Sequence, residues 1–175
     1  AVAEEAHALL LAGRLAVEVD HDGIGRLATY QVGSTSLGIY ARSTTDPRDW
    51  SAAAIPLAVA GDNHDSLPVL MPDGAFVVFH IQADGSQYDI YSRRSADGIA
   101  FEPRLVQQQS AAANDVQPHA LVGASASEVQ LYWGREVPAG SGDYDIVRLA
   151  AATVADPIFG HGFEAPAGSA HNAIN

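Results

Sequence analysis

Asn63-His64-Asp65-Ser66-Leu67-Pro68 opens a stretch whose parts recur along the chain. After it come Pro72-Asp73-Gly74, then Ala75-Phe76-Val77-Val78-Phe79-His80, then Ala83-Asp84-Gly85-Ser86. Tyr88-Asp89-Ile90-Tyr91-Ser92-Arg93-Arg94 follows, and Pro103-Arg104-Leu105-Val106 closes the unit before Gln109. Short apolar or β-branched runs separated by Gly, Asp and Pro turn signals are the pattern of antiparallel strands in a meander. Four strands are expected in this unit.

Working outward, the unit repeats. Asp22-Gly23 stands 51 residues before Asp73-Gly74, and Leu37-Gly38-Ile39-Tyr40-Ala41-Arg42 stands 51 before Tyr88-Asp89-Ile90-Tyr91-Ser92-Arg93. Asp65-Ser66-Leu67-Pro68 returns 50 residues later as Asp115-Val116-Gln117-Pro118, and Tyr144-Asp145-Ile146-Val147 echoes the third strand at a spacing of 56. A period near 50 with four strands per unit predicts an all-β fold of propeller-type blades. The expected organisation is a single propeller-like domain over residues 1–175. Its repeats lie at about 14–64, 65–114 and 115–160, and 161–175 is a flexible tail. Ala8 to Leu11 is read as a further strand. The run Phe76 to Phe79 is apolar on both faces, as a sheet sandwiched between two others requires. Three blades do not close a ring, so the expectation is a partial propeller, part of a longer chain, or closure by homo-oligomerisation.

Composition narrows the partners. A net charge of −12 disfavours nucleic acid and anionic membrane surfaces, both of which call for clustered cations. All nine basic residues are arginine, and there is no cysteine, so neither disulfides nor thiolate metal sites arise. The apolar run from Ala6 to Val17 is broken by Arg14 and is too short to span a bilayer. Asp20-His21-Asp22-Gly23 suggests a calcium loop, but Ile24 and Gln31 stand where oxygen ligands are needed, so a hairpin turn is favoured. The seven histidines show no zinc-type spacing. No metal and no cofactor are expected.

Ser95-Ala96-Asp97-Gly98-Ile99-Ala100-Phe101 resembles the Asp-box (bacterial neuraminidase repeat) of sialidase-type β-propellers. Ser43-Thr44-Thr45-Asp46-Pro47-Arg48-Asp49-Trp50 is a looser version, and Ala155-Asp156-Pro157-Ile158-Phe159 a degenerate one. Physically, the Asp side chain bonds backbone amides of a tight turn, and the aromatic plugs between neighbouring sheets. The resemblance covers roughly Arg14 to Phe159. It implies a carbohydrate partner, with acids near the propeller axis as general acid, base or stabiliser. The chain departs from true sialidases where their arginine triad and Arg-Ile-Pro motif would stand, and Arg42 and Arg93 occupy equivalent structural positions. Ile158-Phe159-Gly160-His161-Gly162-Phe163-Glu164 resembles short terminal segments of secreted bacterial proteins, and a secreted or periplasmic location is expected.

Mapped onto a blade, one end of the fold carries Asn63, His64, Asp65, Asn114 and Asp115 from loops leading into the inner strands. His80, Gln82, Trp133, Arg135 and Glu136 come from loops between second and third strands. Asp65 and Asp115 are the candidate catalytic carboxylates, set against a plain strand-capping role for Asp-x-x-Pro. Trp133 with Tyr132 and Arg135 is the candidate sugar-stacking platform, set against burial of Trp133 between blades. His64, Asn114 and His80 complete the candidate ligand-binding set. The expected function is a non-catalytic carbohydrate-binding module. The alternatives are a glycoside hydrolase and a structural or protein-interaction propeller.

Overall fold

The computed structural model describes residues 15–19, 26–33, 37–46, 48–109, 112–123 and 129–150. Among these residues every regular element is a strand: β1 (Leu15–Val19), β2 (Arg26–Val32), β3 (Gly38–Thr44), β4 (Ile55–Ala58), β5 (Asn63–Leu70), β6 (Phe76–Asp84), β7 (Gln87–Ser95), β8 (Leu105–Gln108), β9 (Asn114–Val122), β10 (Val129–Glu136) and β11 (Tyr144–Ala150). They form three antiparallel sheets in simple meander order, β1-β2-β3-β4, β5-β6-β7-β8 and β9-β10-β11. The fold is all-β, built of successive propeller-type blades. The strand expected at Ala8 to Leu11, the turn at Asp22-Gly23, the third box at Ala155 to Phe159 and the tail from residue 160 lie outside the described residues.

The second sheet is the hinge of the packing. Val77, Phe79, Ile81 and Ile90 face the third sheet and join Val129, Leu131 and Trp133 in one buried cluster. Phe76 and Val78 point the other way, into a second cluster with Leu27, Ile39, Ala41 and Leu57 of the first sheet. The two-sided apolar character of Phe76 to Phe79 therefore has its expected cause: both faces of β6 are covered. The third sheet ends the described stack, and on its outer side Leu121 and Ile146 are exposed, Ile146 to 83%.

Two inner strands carry a bulge at the same place. On β5 the pairing steps from His64 opposite Ile81 to Leu67 opposite Phe79, so Asp65 and Ser66 share the place opposite His80. On β9 it steps from Val116 opposite Gly134 to His119 opposite Tyr132, with Gln117 and Pro118 opposite Trp133. The first bulged residue is left-handed in both, Asp65 at φ 47° and Gln117 at φ 53°. Structural equivalence thus pairs Asp65 with Gln117 and Asn63 with Asp115. The sequence alignment of Asp65 with Asp115 was two residues out of register, because the shared Asp-x-x-Pro sits before the bulge on β9 and within it on β5. The expected loop positions are corrected as well: Asn63 to Asp65, His80, Gln82, Asn114, Asp115, Trp133, Arg135 and Glu136 all lie within strands. Strands β6 and β7 pair out to Asp84 opposite Gln87, and Gly85 at φ 67° closes the turn in two residues.

The turn after β7 has the hydrogen bonds the sequence led one to expect. Asp97 Oδ1 accepts from the amides of Ile99 (2.8 Å) and Ala100 (2.9 Å) and from Ser95 Oγ (3.0 Å), while the Gly98 amide donates to Ser95 Oγ. These bonds, the Ala100 amide first, hold the Asp97 carboxyl below its ordinary range. Phe101 packs on the cluster between the first and second sheets. In the looser copy, Asp46 Oδ1 accepts from the Arg48 amide at 2.9 Å. Gly98 sits at φ 72°, and a Cβ there would stand 2.8 Å from Ser43 Oγ. Gly98→Ala should therefore cost more than the ~1–2 kcal/mol of a left-handed alanine alone. Gly74→Ala is the reference, since φ is 82° there and a Cβ would meet nothing within 4 Å. Urea denaturation of the two variants should show the larger loss at Gly98. Equal losses would mean that Ser43 yields at no cost.

Candidate functional site

An open cleft lies where the first and second sheets meet. It has a volume of about 380 Å³ and is lined by Gln31, His64, Asp65, Ile81 and Tyr88. Gln31 comes from β2, His64 and Asp65 from the bulged end of β5, Ile81 from β6 and Tyr88 from β7, so two sheets meet at its rim. The bulge is what brings the lining together. It keeps His64 on the Ile81 side of β5 and turns the backbone at Asp65.

Behind the cleft, Asp62 organises the polar groups. Its Oδ1 accepts from the Leu37 amide at 3.0 Å, and its Oδ2 from His64 Nε2 at 2.8 Å and Tyr88 Oη at 3.3 Å. The Leu37 amide first, then His64 and Tyr88, hold the Asp62 carboxyl below its ordinary range despite partial burial. The Asp62 carboxylate orients the His64 ring by taking the bond from Nε2, which leaves Nδ1 for a further hydrogen bond. The His64 ring meets Tyr88 edge-on at 5.5 Å. Burial, and then the Asp62 charge, raise the Tyr88 phenol. The result is a preset aromatic wall, one oriented imidazole nitrogen, the Asp65 side chain and the Gln31 side chain around one space. Such a site suits a small polyhydroxylated ligand, with C–H faces on the ring and hydroxyls on the polar groups.

The other candidates form a separate network in the third sheet. Asp115 is fully buried. Its Oδ1 accepts from Trp133 Nε1 (2.6 Å) and Arg135 Nε (2.7 Å), and its Oδ2 from Arg135 at 3.2 Å. Arg135 lies directly opposite Asp115 in the ladder and stacks over the Trp133 ring at 5.6 Å. Asp115 is thus a cross-strand brace, with both carboxylate oxygens engaged and the side chain buried. Trp133 is 2% exposed, with its rings in the core between the second and third sheets, which is the burial between blades set against a sugar platform above. Tyr132, one residue away on a strand of period two, faces the opposite side and donates to Gln130 at 2.9 Å, so the two aromatics share no platform. Asn114 links this network to the cleft. Its Nδ2 donates to Glu136 Oε2 at 2.6 Å, and its Oδ1 accepts from the Tyr88 amide at 3.2 Å. Glu136 also takes the Gly140 and Gly142 amides, and these bonds lower its carboxyl.

His80 is not in the cleft lining. It is 1% exposed, lies on the face of β6 turned to the first sheet and stacks on Tyr91 at 5.9 Å. Of the candidates, then, only His64 and Asp65 meet in the cleft. Sequence reading missed Asp62, Tyr88 and Gln31. Asp62 stands one residue before the quoted motif, and Tyr88 reads as an ordinary strand aromatic. The available signal was the cluster of chemistry-bearing residues Asp62-Asn63-His64-Asp65 at the head of an inner strand.

No protein-family model and no curated protein matches the sequence. Among solved structures, a thermostable family-43 glycoside hydrolase is similar at 14% identity with a TM-score of 0.53. The match covers 76% of this chain and 49% of that one, so the chain spans about half the length of that structure. At this identity the likeness speaks for the fold. The three stacked meanders have the blade architecture of a propeller, with no specific tie to the sialidase branch.

Proposed function

We propose that this chain is the carbohydrate-engaging part of a propeller, binding a neutral sugar without turnover in the cleft of Gln31, His64, Asp65 and Tyr88. The observation that carries this reading is the Asp62-fixed pair of His64 and Tyr88, an aromatic wall and an oriented imidazole facing one space. The net charge of −12 favours a neutral glycan over an anionic one. The glycosidase likeness in fold supports a sugar ligand. It also sustains a second reading, hydrolysis with Asp65 as one acid. That chemistry needs two carboxyl groups flanking the bond, and Asp65 is the one carboxylate among the residues lining the cleft. Binding without turnover is therefore the preferred reading.

His64→Ala is the test. It should weaken glycan binding by roughly tenfold or more, the equivalent of one lost hydrogen bond at about 1.4 kcal/mol. His64 is partly exposed at the rim, so the melting temperature should move little. Titration of methyl glycosides by calorimetry, with 4-nitrophenyl glycosides as turnover probes, separates the readings. Turnover that survives in Asp115→Asn and vanishes in Asp65→Asn would replace binding by hydrolysis. If no glycoside binds at all, the carbohydrate reading falls.

A further inference from the structure

Repetition lets equivalent positions be compared between sheets. In the third sheet, inner-strand Asp115 faces Arg135 across the ladder, and Trp133 lies two residues before Arg135. These three close on one another through a buried carboxylate. In the second sheet the same places hold Asn63, Gln82 and His80. Here the set stays open. Asn63 spends its Nδ2 on the carbonyls of Leu37, Ala60 and Gly61, and Gln82 reaches away to Ala60 and Arg104. Asn63 Oδ1 and both ring nitrogens of His80 have no hydrogen-bond partner among the described residues, although Asn63 is 0% and His80 1% exposed.

Three unpaired polar atoms at that burial are exceptional, since such groups ordinarily find a protein or water partner. The first sheet shows what an inert version of the position looks like: Tyr30 stands where His80 does, stacked on Tyr40 as His80 is on Tyr91. The ladder places Asn63 and His80 on one face as diagonal neighbours, roughly 7–8 Å apart at the backbone. One hydroxyl bridges side chains at that separation with bonds of about 2.8 Å. Neutral imidazole offers one donor and one acceptor, and Asn63 Oδ1 offers an acceptor.

We propose that Asn63 and His80 form a buried subsite for a neutral hydroxyl, lying beneath the cleft and separated from it by Gln31. Gln31 is the shared wall: its side chain lines the cleft, and its Nε2 reaches the Asn63 carbonyl oxygen at 3.5 Å. The hydroxyl donates to Asn63 Oδ1 or to the bare ring nitrogen and accepts from the His80 N–H. Water supplies it in the free chain, and a ligand hydroxyl supplies it when Gln31 swings aside. The inference stands on the unpaired atoms and does not require that the cleft bind sugar.

His80→Phe tests it, because the ring and its stacking on Tyr91 are kept while both nitrogens go. If a hydroxyl bridges the site, the variant strands Asn63 Oδ1, and the melting temperature should fall by roughly 3–8 °C. If the nitrogens are simply unpaired, removing them relieves a cost, and a raised melting temperature would overturn the proposal. A crystal structure of the unaltered chain at about 1.5 Å is the independent measurement. Density within hydrogen-bond distance of Asn63 Oδ1 and His80 supports the subsite, and its absence overturns it. Calorimetry with a methyl glycoside that binds the unaltered chain then separates the sources. A tenfold loss in His80→Phe identifies a ligand hydroxyl, and unchanged affinity identifies water. Should no glycoside bind the unaltered chain, the function proposed above fails, while density and melting temperature still decide the subsite.

Discussion

Replacing Trp133 by alanine should destabilise the chain by about 3–5 kcal/mol, the range for removing a large buried aromatic. Against a typical domain stability of roughly 5–15 kcal/mol, that loss brings the fold close to its limit. The side chain is 2% exposed and fills the core between the second and third sheets beside Leu131, Phe79 and Ile81. Its indole also donates to buried Asp115 at 2.6 Å, so truncation removes a partner from a charge that has no water to turn to. Trp133→Phe separates the two effects. Most of the packing remains and the hydrogen bond goes, with an expected cost of about 1–3 kcal/mol. Urea denaturation followed by circular dichroism reads both variants. An unchanged midpoint for Trp133→Ala would mean that the indole is not core, and the stacking-platform reading would return.

Acid should weaken the fold well above the carboxylate range. Burial, reinforced by the charges of Arg93 and then Arg104, pushes His80 down from 6.5 to about 4; the nearby Val78 backbone, which makes no hydrogen bond of normal geometry to the ring, is the one opposing influence. The unfolded chain takes up a proton below pH 6.5, whereas the folded chain resists until near pH 4. Stability is therefore fully present above about pH 6.5, falls across the interval down to about 4 and then levels for this group. At about 1.36 kcal/mol per pH unit, the loss totals roughly 3 kcal/mol. Asp62, Asp97 and Glu136 act in a lower window. Their carboxyls are depressed, so their contributions hold above the ordinary carboxylate range and are lost as pH falls through their lowered folded values. Denaturation midpoints measured from pH 7.5 to 3.5 should decline steeply for the unaltered chain between 6.5 and 4.5, and much less for His80→Phe. Parallel curves would show that His80 titrates normally in the folded state.

The architecture was legible because its signals are local. Gly74, Gly85 and Gly98 mark turns that need left-handed backbone, and the Asp97 carboxylate announces a turn by the amides it can reach. The two-sided apolar run Phe76 to Phe79 showed that the sheet is sandwiched. The inner strands were less legible, because a bulge has no fixed residue signature. Asp65-Ser66-Leu67-Pro68 and Asp115-Val116-Gln117-Pro118 look alike as strings yet sit two places apart on their ladders. Trp133 illustrates a further limit. A tryptophan beside arginine reads the same whether the ring stacks on a sugar or on a core, and what decides is the buried partner Asp115, 18 residues away in sequence. The cleft assembles Gln31, His64, Asp65 and Tyr88 from three strands of two sheets, and no spacing within one strand encodes it.

The bulge on β5 has a consequence for how such a protein can change. By inserting one residue, it splits the strand into two halves whose side chains answer to different neighbours. Below it, Leu67, Val69 and Leu70 are committed to the two cores. Above it, Asn63 and His64 serve the polar end, whereas the equivalent places on β9 hold Asp115, bonded to Trp133, and Val116, packed against the core. A bulged inner strand thus behaves as a socket and an insert: the lower half keeps the blade folded, while the upper half carries side chains that differ from blade to blade. One blade carries a buried ionic clasp and the next a polar cleft edge, on the same bulged backbone.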